Sequence, residues 1–180
     1  FQDVSFMASD GTVLFHGVKE EYQDGIPDVA PHHQDNLSDP RIRGRAFEVE
    51  DPTDRYNCHG WSLTGRKDTW VMPEAGEIHP VQKVLNHPAF QFQHVQEMSQ
   101  ARPNDLVVYR DENNEISHSG RVKESDTNGN VWVRSKWGDQ ALTDHVFDAM
   151  LPEYRHSNGN IHVEIWHTDH SSQGFLSEGS

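Results

Sequence analysis

The stretch that decides the fold is Asp105-Leu106-Val107-Val108-Tyr109-Arg110, an apolar run followed by the polar turn Asp111–Glu115. Its β-branched and aromatic residues favour a strand. Two further runs, Ile116–Lys123 and Val131–Ser135, follow, and the polar segment Asp126–Asn130 separates them. Short polar connections of this kind join neighbouring antiparallel strands. This part of the chain therefore predicts an antiparallel β-meander.

Outside the meander, the pattern predicts two helices, a further hairpin and two separate strands. Residues 3–23 form the hairpin because Asp10-Gly11 is a strong turn signal between apolar runs. The remaining expectations are a loop over 24–40, strands at Arg45–Glu50 and Ile161–Trp166, helices beginning at Cys58 and at Pro80, and a frayed tail from Thr168. Together they predict an α+β domain over 51–168, preceded by a hairpin and extended arm over 1–50 and followed by a flexible tail over 169–180.

Composition narrows the classes of function. The net charge is −14, with 29 acidic and 15 basic residues, which argues against nucleic acid as a partner. The cluster Arg41-Ile42-Arg43-Gly44-Arg45 is more typical of a solvated loop than of a phosphate site. No apolar run approaches the roughly 20 residues of a membrane helix, and no signal peptide is visible, so the compartment stays open. Neither HExxH nor paired CxxC spacing occurs among the 13 histidines and one cysteine, so we expect no metal and no cofactor.

Cys58 is the only cysteine, within Tyr56-Asn57-Cys58-His59-Gly60-Trp61. A lone thiol forms no internal disulfide, which leaves a packing residue, a redox thiol or a nucleophile. The polar neighbours Asn57 and His59 favour a nucleophile, and the start of a helix lowers a thiol pKa. We expect Asn57 and Tyr56 to add donors for an oxyanion and His59 to line the substrate site.

His118 is the candidate general base, because it begins a strand between two serines. Ser135 shares a strand face with Val131 and Val133, so it is the candidate third group, accepting a hydrogen bond from His118. Asp139 is the alternative acceptor just beyond that strand. Trp137 is expected to line the cleft.

Four segments resemble the papain-like NlpC/CHAP superfamily: Tyr56–Trp61, Asn104–Tyr109, His118–Val122 and Ser135–Gly138. In that superfamily a cysteine opens a helix, and a Gly-Asp-Leu-like strand and a His-x-Gly strand follow. The order and rough spacing match over residues 54–138. The resemblance implies a papain-like fold, a helix-borne cysteine packed on an antiparallel β-meander, with Cys58 as nucleophile and His118 as base. The third polar position falls near Ser135.

The resemblance also implies a function. It indicates a cysteine hydrolase that cleaves an amide or peptide bond through an acyl-enzyme, on a peptide or protein substrate. The Asn-Cys-His-Gly and Ser-Lys-Trp-Gly forms are similar to domains of bacterial multidomain proteins, including toxins and effectors, for which a cognate inhibitor protein is a further expected partner. Two alternatives stay open. One is a transferase or glutamine deamidase with the same thioester, and the other is a binding module without catalysis.

Overall fold

The computed structural model describes residues 2–19, 40, 42–137, 141–170 and 177–179. Within these ranges the chain forms two α-helices, α1 at Cys58–Thr64 and α2 at Pro80–Asn86. The strands in the same ranges are β1 (Gln2–Met7), β2 (Val13–Lys19), β3 (Ala46–Glu48), β4 (Thr69–Trp70), β5 (Gln93–Val95), β6 (Leu106–Arg110), β7 (Ile116–Ser125), β8 (Val131–Lys136), β9 (Leu142–Val146), β10 (His162–His167) and β11 (Ser177–Gly179).

The strands form two sheets, and every pairing given for them is antiparallel. The larger sheet has the order β3-β9-β8-β7-β6-β10-β5, and its centre is the meander β6-β7-β8-β9. The smaller sheet has the order β11-β1-β2-β4. Two helices beside mostly antiparallel sheets make the domain α+β, so this part of the fold prediction is confirmed.

The predicted N-terminal hairpin is present as β1 and β2. Its residues 20–23 lie outside the described ranges, as do residues 24–39 of the loop expected over 24–40. Asp10 shapes the turn, because its side chain accepts the Thr12 N–H at 2.9 Å, and Gly11 takes a positive φ of 87°. The hairpin is not isolated. Phe6 and Phe15 lie in one hydrophobic core with residues of both helices and of β6.

The helices cover one face of the large sheet. Leu63 of α1 and Val81 of α2 are fully buried against Leu106 and Val108 of β6. The opposite face carries a second core, in which Val107 and Tyr109 of β6 are packed with residues of β7 and β8. Alternate residues of one strand point to opposite faces, so β6 contributes to both cores.

One expectation needs correction. The tail does not fray throughout, because Ser177–Gly179 pair with Ser5–Met7 of β1 as β11. The structure also adds a strand that the sequence analysis did not identify, because β9 continues the meander after Trp137. All five residues of β9 are buried, although Thr143, Asp144 and His145 are polar. They are tolerated because they have partners; Arg134, for instance, donates to Asp144 Oδ1 at 2.7 Å.

Candidate functional site

Cys58 is the first residue of α1, as expected, and Asn57 is the helix N-cap. Asn57 Oδ1 accepts the Gly60 N–H at 2.9 Å and the Val71 N–H at 3.1 Å. Its Nδ2 donates to Val71 O at 2.8 Å. The expectation that Asn57 offers a donor to an oxyanion is therefore not supported by this geometry. Asn57 instead joins the start of the helix to the segment after β4.

The thiol of Cys58 is buried, with 7% of the residue exposed. Burial raises the pKa of the Cys58 thiol to about 11, because the thiolate loses its hydration. The backbone N–H groups of Ser119 and His59 and the Lys136 ammonium act in the opposite direction and favour the thiolate. The thiol is thus protonated at neutral pH in this arrangement, although donors that stabilise its anion surround it.

His118 is fully buried and lies opposite Tyr109 in the pairing of β6 with β7. Its ring centroid is 5.5 Å from that of Tyr109 and 4.4 Å from that of Tyr154. Among the described residues neither ring nitrogen has a hydrogen-bond partner, so His118 is not hydrogen-bonded to Cys58. The pKa of His118 is held well below its usual value by burial and then by the neighbouring His145 and His59.

Cys58 and His118 nevertheless lie beside the same peptide unit. The N–H that faces the thiol belongs to Ser119, the residue directly after His118. The Ser119 side chain points to α1, where its Oγ is 2.5 Å from Ser62 Oγ, and Arg121 Nε donates to Ser62 O at 2.7 Å. Strand alternation then places His118 on the other face of β7. The structure brings the two residues to one point of the sheet but directs their side chains differently.

Ser135 does lie on the buried face that also holds Val131 and Val133. The expected hydrogen bond from His118 to Ser135 is absent, and that prediction is wrong. Ser135 Oγ is instead 2.8 Å from His145 Nε2 and accepts the Trp137 indole N–H at 3.1 Å. Asp139, the alternative acceptor, lies outside the described residues.

His145 is a residue that sequence reasoning missed. It is fully buried, and its Nδ1 is 2.9 Å from Val146 O, which assigns the proton to Nδ1 and leaves Nε2 to accept from Ser135. Trp137 completes this group, with its ring centroid 5.4 Å from that of His145. Trp137 is only 3% exposed, so it belongs to the core and not to an open cleft wall. Burial lowers the pKa of His145 to about 4.

His59 is buried on the helix side of the sheet, and its Nδ1 is 2.7 Å from Ser119 Oγ. Its ring meets that of His79 edge to face, with centroids 4.6 Å apart. Burial, and secondarily His79, lower the pKa of His59 to about 3. The predicted role of His59 in lining the substrate site stays a prediction. His79 was missed because it precedes α2 in a segment without any catalytic motif.

Tyr56 is buried, and among the described residues its hydroxyl has no hydrogen-bond partner. This leaves the phenol as a candidate donor, as the sequence suggested, and burial raises its pKa. Lys136 lies over the Tyr56 ring, with Nζ 4.8 Å from the centroid, and donates to Thr53 O at 2.6 Å. Lys136 is thus a buried cation near Cys58 that the sequence did not reveal.

In the described ranges no group of three or more His, Cys, Asp or Glu side chains is arranged to hold a metal ion. The helices found in the same ranges are too short and too polar to span a bilayer.

These features define an α+β domain in which a helix-borne cysteine is packed on an antiparallel sheet. Residues 48–166 match the model of a family described as a domain of unknown function, DUF7689, and the chain belongs to this family. Comparison with curated proteins gives no match, and comparison with solved structures gives none either.

Proposed function

We propose that this domain is a papain-like cysteine hydrolase that cleaves an amide or peptide bond, with Cys58 as nucleophile and His118 as general base. The observation that carries the proposal is the state of His118. A buried polar atom without a partner costs about 1–3 kcal/mol, and His118 has two such nitrogens beside the peptide unit that Cys58 faces. An unpaired buried imidazole is expected where a ring must move or meet a ligand.

The reaction begins with a local opening of β7 that brings His118 and Cys58, whose side chains are directed differently in the closed arrangement, within hydrogen-bonding distance. The imidazole takes the thiol proton, and the sulfur attacks the carbonyl carbon. The N–H groups of Ser119 and His59, which already favour the anionic sulfur, lie close to where the oxyanion forms. The C–N bond then breaks, and the amine leaves with the proton from His118. Water, deprotonated by His118, hydrolyses the thioester to release a carboxylic acid and restore the thiol.

A second candidate is a binding module without catalysis. It is favoured by the burial of Cys58, whose pKa is raised to about 11, and by the tilted ring contacts of His118 with Tyr109 and Tyr154. In that case Cys58 and His118 are buried packing residues.

The rate of Cys58 alkylation by iodoacetamide, followed by intact mass, separates the two candidates. Because Cys58 is the only cysteine, each adduct reports on it alone. The hydrolase predicts labelling at pH 6–7, below the free-thiol pKa of about 8.5, and a loss of that labelling in His118→Ala. The exposed His94→Ala variant is the matched control and keeps the wild-type rate.

The hydrolase proposal is contradicted if the native protein resists iodoacetamide at pH 6–7 and is labelled only after unfolding in urea. Labelling that is equally fast in wild type and His118→Ala also contradicts the Cys58–His118 pair. Circular dichroism of each variant confirms that it is folded, so a lost rate is not misread as a chemical effect.

A further inference from the structure

A groove follows the edge of β2 that faces β4, and we call it the β2-edge groove. It consists of two adjoining cavities of about 230 and 330 Å³, which share His16, Met72 and Glu74 in their walls. One cavity lies against α2, and the other lies against Trp70 of β4. Asn57 Nδ2 lies 3.3 Å from Met72 Sδ, so Met72 joins this surface to the residue before Cys58.

Several large hydrophobic side chains are exposed together in the groove. Six large hydrophobic side chains are exposed among the described residues, and four of them line it: Val13 at 50%, Val18 at 38%, Met72 at 56% and Ile78 at 57%. Scattered exposed apolar residues need no explanation, but a contiguous set marks a surface that a partner covers.

The groove also contains an unpaired strand edge. β1 pairs along the whole of β2 on one side. On the other side β4 pairs only with Val18 and Lys19. In the described part of the chain no strand lies beside Val13–Gly17 on that edge. Such an edge is a template for an extended peptide, which adds as one more strand and places alternate side chains in the flanking pockets.

The acidic side chains of the groove indicate the charge of the partner that it binds. Asp3 and Glu74 line it with no ionic partner among the described residues, whereas Glu77 is paired with Lys83 at 2.8 Å. Residues 20–39, which follow β2, contain acidic residues and no Lys or Arg. The whole chain carries a net charge of −14. Both the segment 20–39 and a second copy of the chain are therefore electrostatically mismatched to this surface, and a basic segment is matched.

We propose that the β2-edge groove binds an extended segment of another protein in which apolar and basic residues alternate. The segment adds as a strand beside Val13–Gly17. Its apolar side chains contact Met72 and Ile78, and its basic side chains lie near Asp3 and Glu74. Binding of this segment does not depend on the proposed hydrolase chemistry, because it is measured without turnover.

The test uses fluorescein-labelled peptides and fluorescence anisotropy with the full chain. The probe is a blocked seven-residue peptide of alternating Val and Arg, and its counterpart alternates Val and Glu. We expect binding of the Arg probe only, weakened about fivefold or more by Ile78→Ser, which removes an apolar contact. The matched control is Phe47→Ser, because Phe47 is exposed to a similar extent, 55%, outside the groove. Glu74→Lys weakens binding as well.

Methylating alternate backbone nitrogens of the Arg probe removes the donors that a new strand needs, and we expect binding to be lost. Equal binding of the methylated probe overturns the strand-addition geometry. Equal affinity of wild type and Ile78→Ser overturns the location. Failure of the Arg probe to bind overturns the proposed partner. If a synthetic peptide of residues 20–39 then binds, or the chain dimerises with concentration in sedimentation, the groove is covered by the chain itself.

Discussion

His145→Gln should make the stability of this protein less dependent on pH. The neutral His145 ring is satisfied on both sides, by Val146 O at Nδ1 and by Ser135 Oγ at Nε2. A second proton places a donor against the Ser135 hydroxyl in a fully buried site. Burial accordingly lowers the pKa of His145 to about 4, whereas an unfolded histidine has a pKa of about 6.5.

The direction of the pH effect on stability follows from the number of protons bound in the folded and unfolded states. Between pH 6.5 and 4 the unfolded state binds a proton at His145 that the folded state does not, so the free energy of unfolding falls as the pH falls. For pKa values of about 4 and 6.5, the loss between pH 7.5 and 5.0 is about 2 kcal/mol. The stabilising contribution is therefore complete above pH 6.5 and decreases as the pH approaches 4.

Urea unfolding at pH 7.5 and 5.0, followed by tryptophan fluorescence, measures this difference. We expect the wild type to lose about 2 kcal/mol more than His145→Gln between the two pH values. Replacing the exposed His94 with Gln controls for the loss of an imidazole and should leave the wild-type pH dependence unchanged. Identical losses in wild type and His145→Gln would refute the assignment of His145 as a buried neutral ring.

Two further substitutions test how the start of α1 is built. Gly60→Ala should destabilise the protein by about 3 kcal/mol or prevent folding, because a Cβ at Gly60 would lie 1.9 Å from Thr69 O; urea unfolding at neutral pH checks this. Asn57→Ala should cost about 2 kcal/mol, because it removes the N-cap and the two hydrogen bonds to Val71, and Asn57→Asp should cost less because it keeps the acceptor. An Asp variant that is as unstable as the Ala variant would show that the Val71 carbonyl bond, not the cap, dominates.

The regular part of the fold could be predicted because its signals are local. Asp10-Gly11 fixes the first hairpin, Pro80 begins α2, and the apolar run Leu106–Tyr109 becomes a strand buried on both faces. Residues 142–146 could not be recognised in the same way. Their polar side chains gave no strand signal, because the cations that pair with Asp144 come from other strands: Arg134 from the adjacent β8 and Lys123 from β7 beyond it.

The position of Cys58 could be predicted, but the direction of His118 could not. The stretch Ile116–Gly120 has polar residues at both odd and even positions, so alternation does not indicate which of them faces α1. The pairing of Tyr109 with His118 decides which side chain faces α1. The register of that pairing depends on the turn between β6 and β7 and on a bulge between Tyr109 and Arg110. A single-residue change of register would exchange the places of His118 and Ser119.

This geometry has a consequence for any chemistry at Cys58. Burial raises the pKa of the thiol and lowers that of His118, so it disfavours both members of a thiolate–imidazolium pair. The N–H groups near Cys58 and the Lys136 ammonium offset only part of this effect, since the net pKa of the thiol is about 11. An active pair therefore needs a ligand or a local opening that changes the surroundings of both groups at once. Labelling of Cys58 by iodoacetamide at pH 6–7 without substrate would therefore report a local opening that brings His118 to the thiol, and its absence would show that the closed arrangement persists.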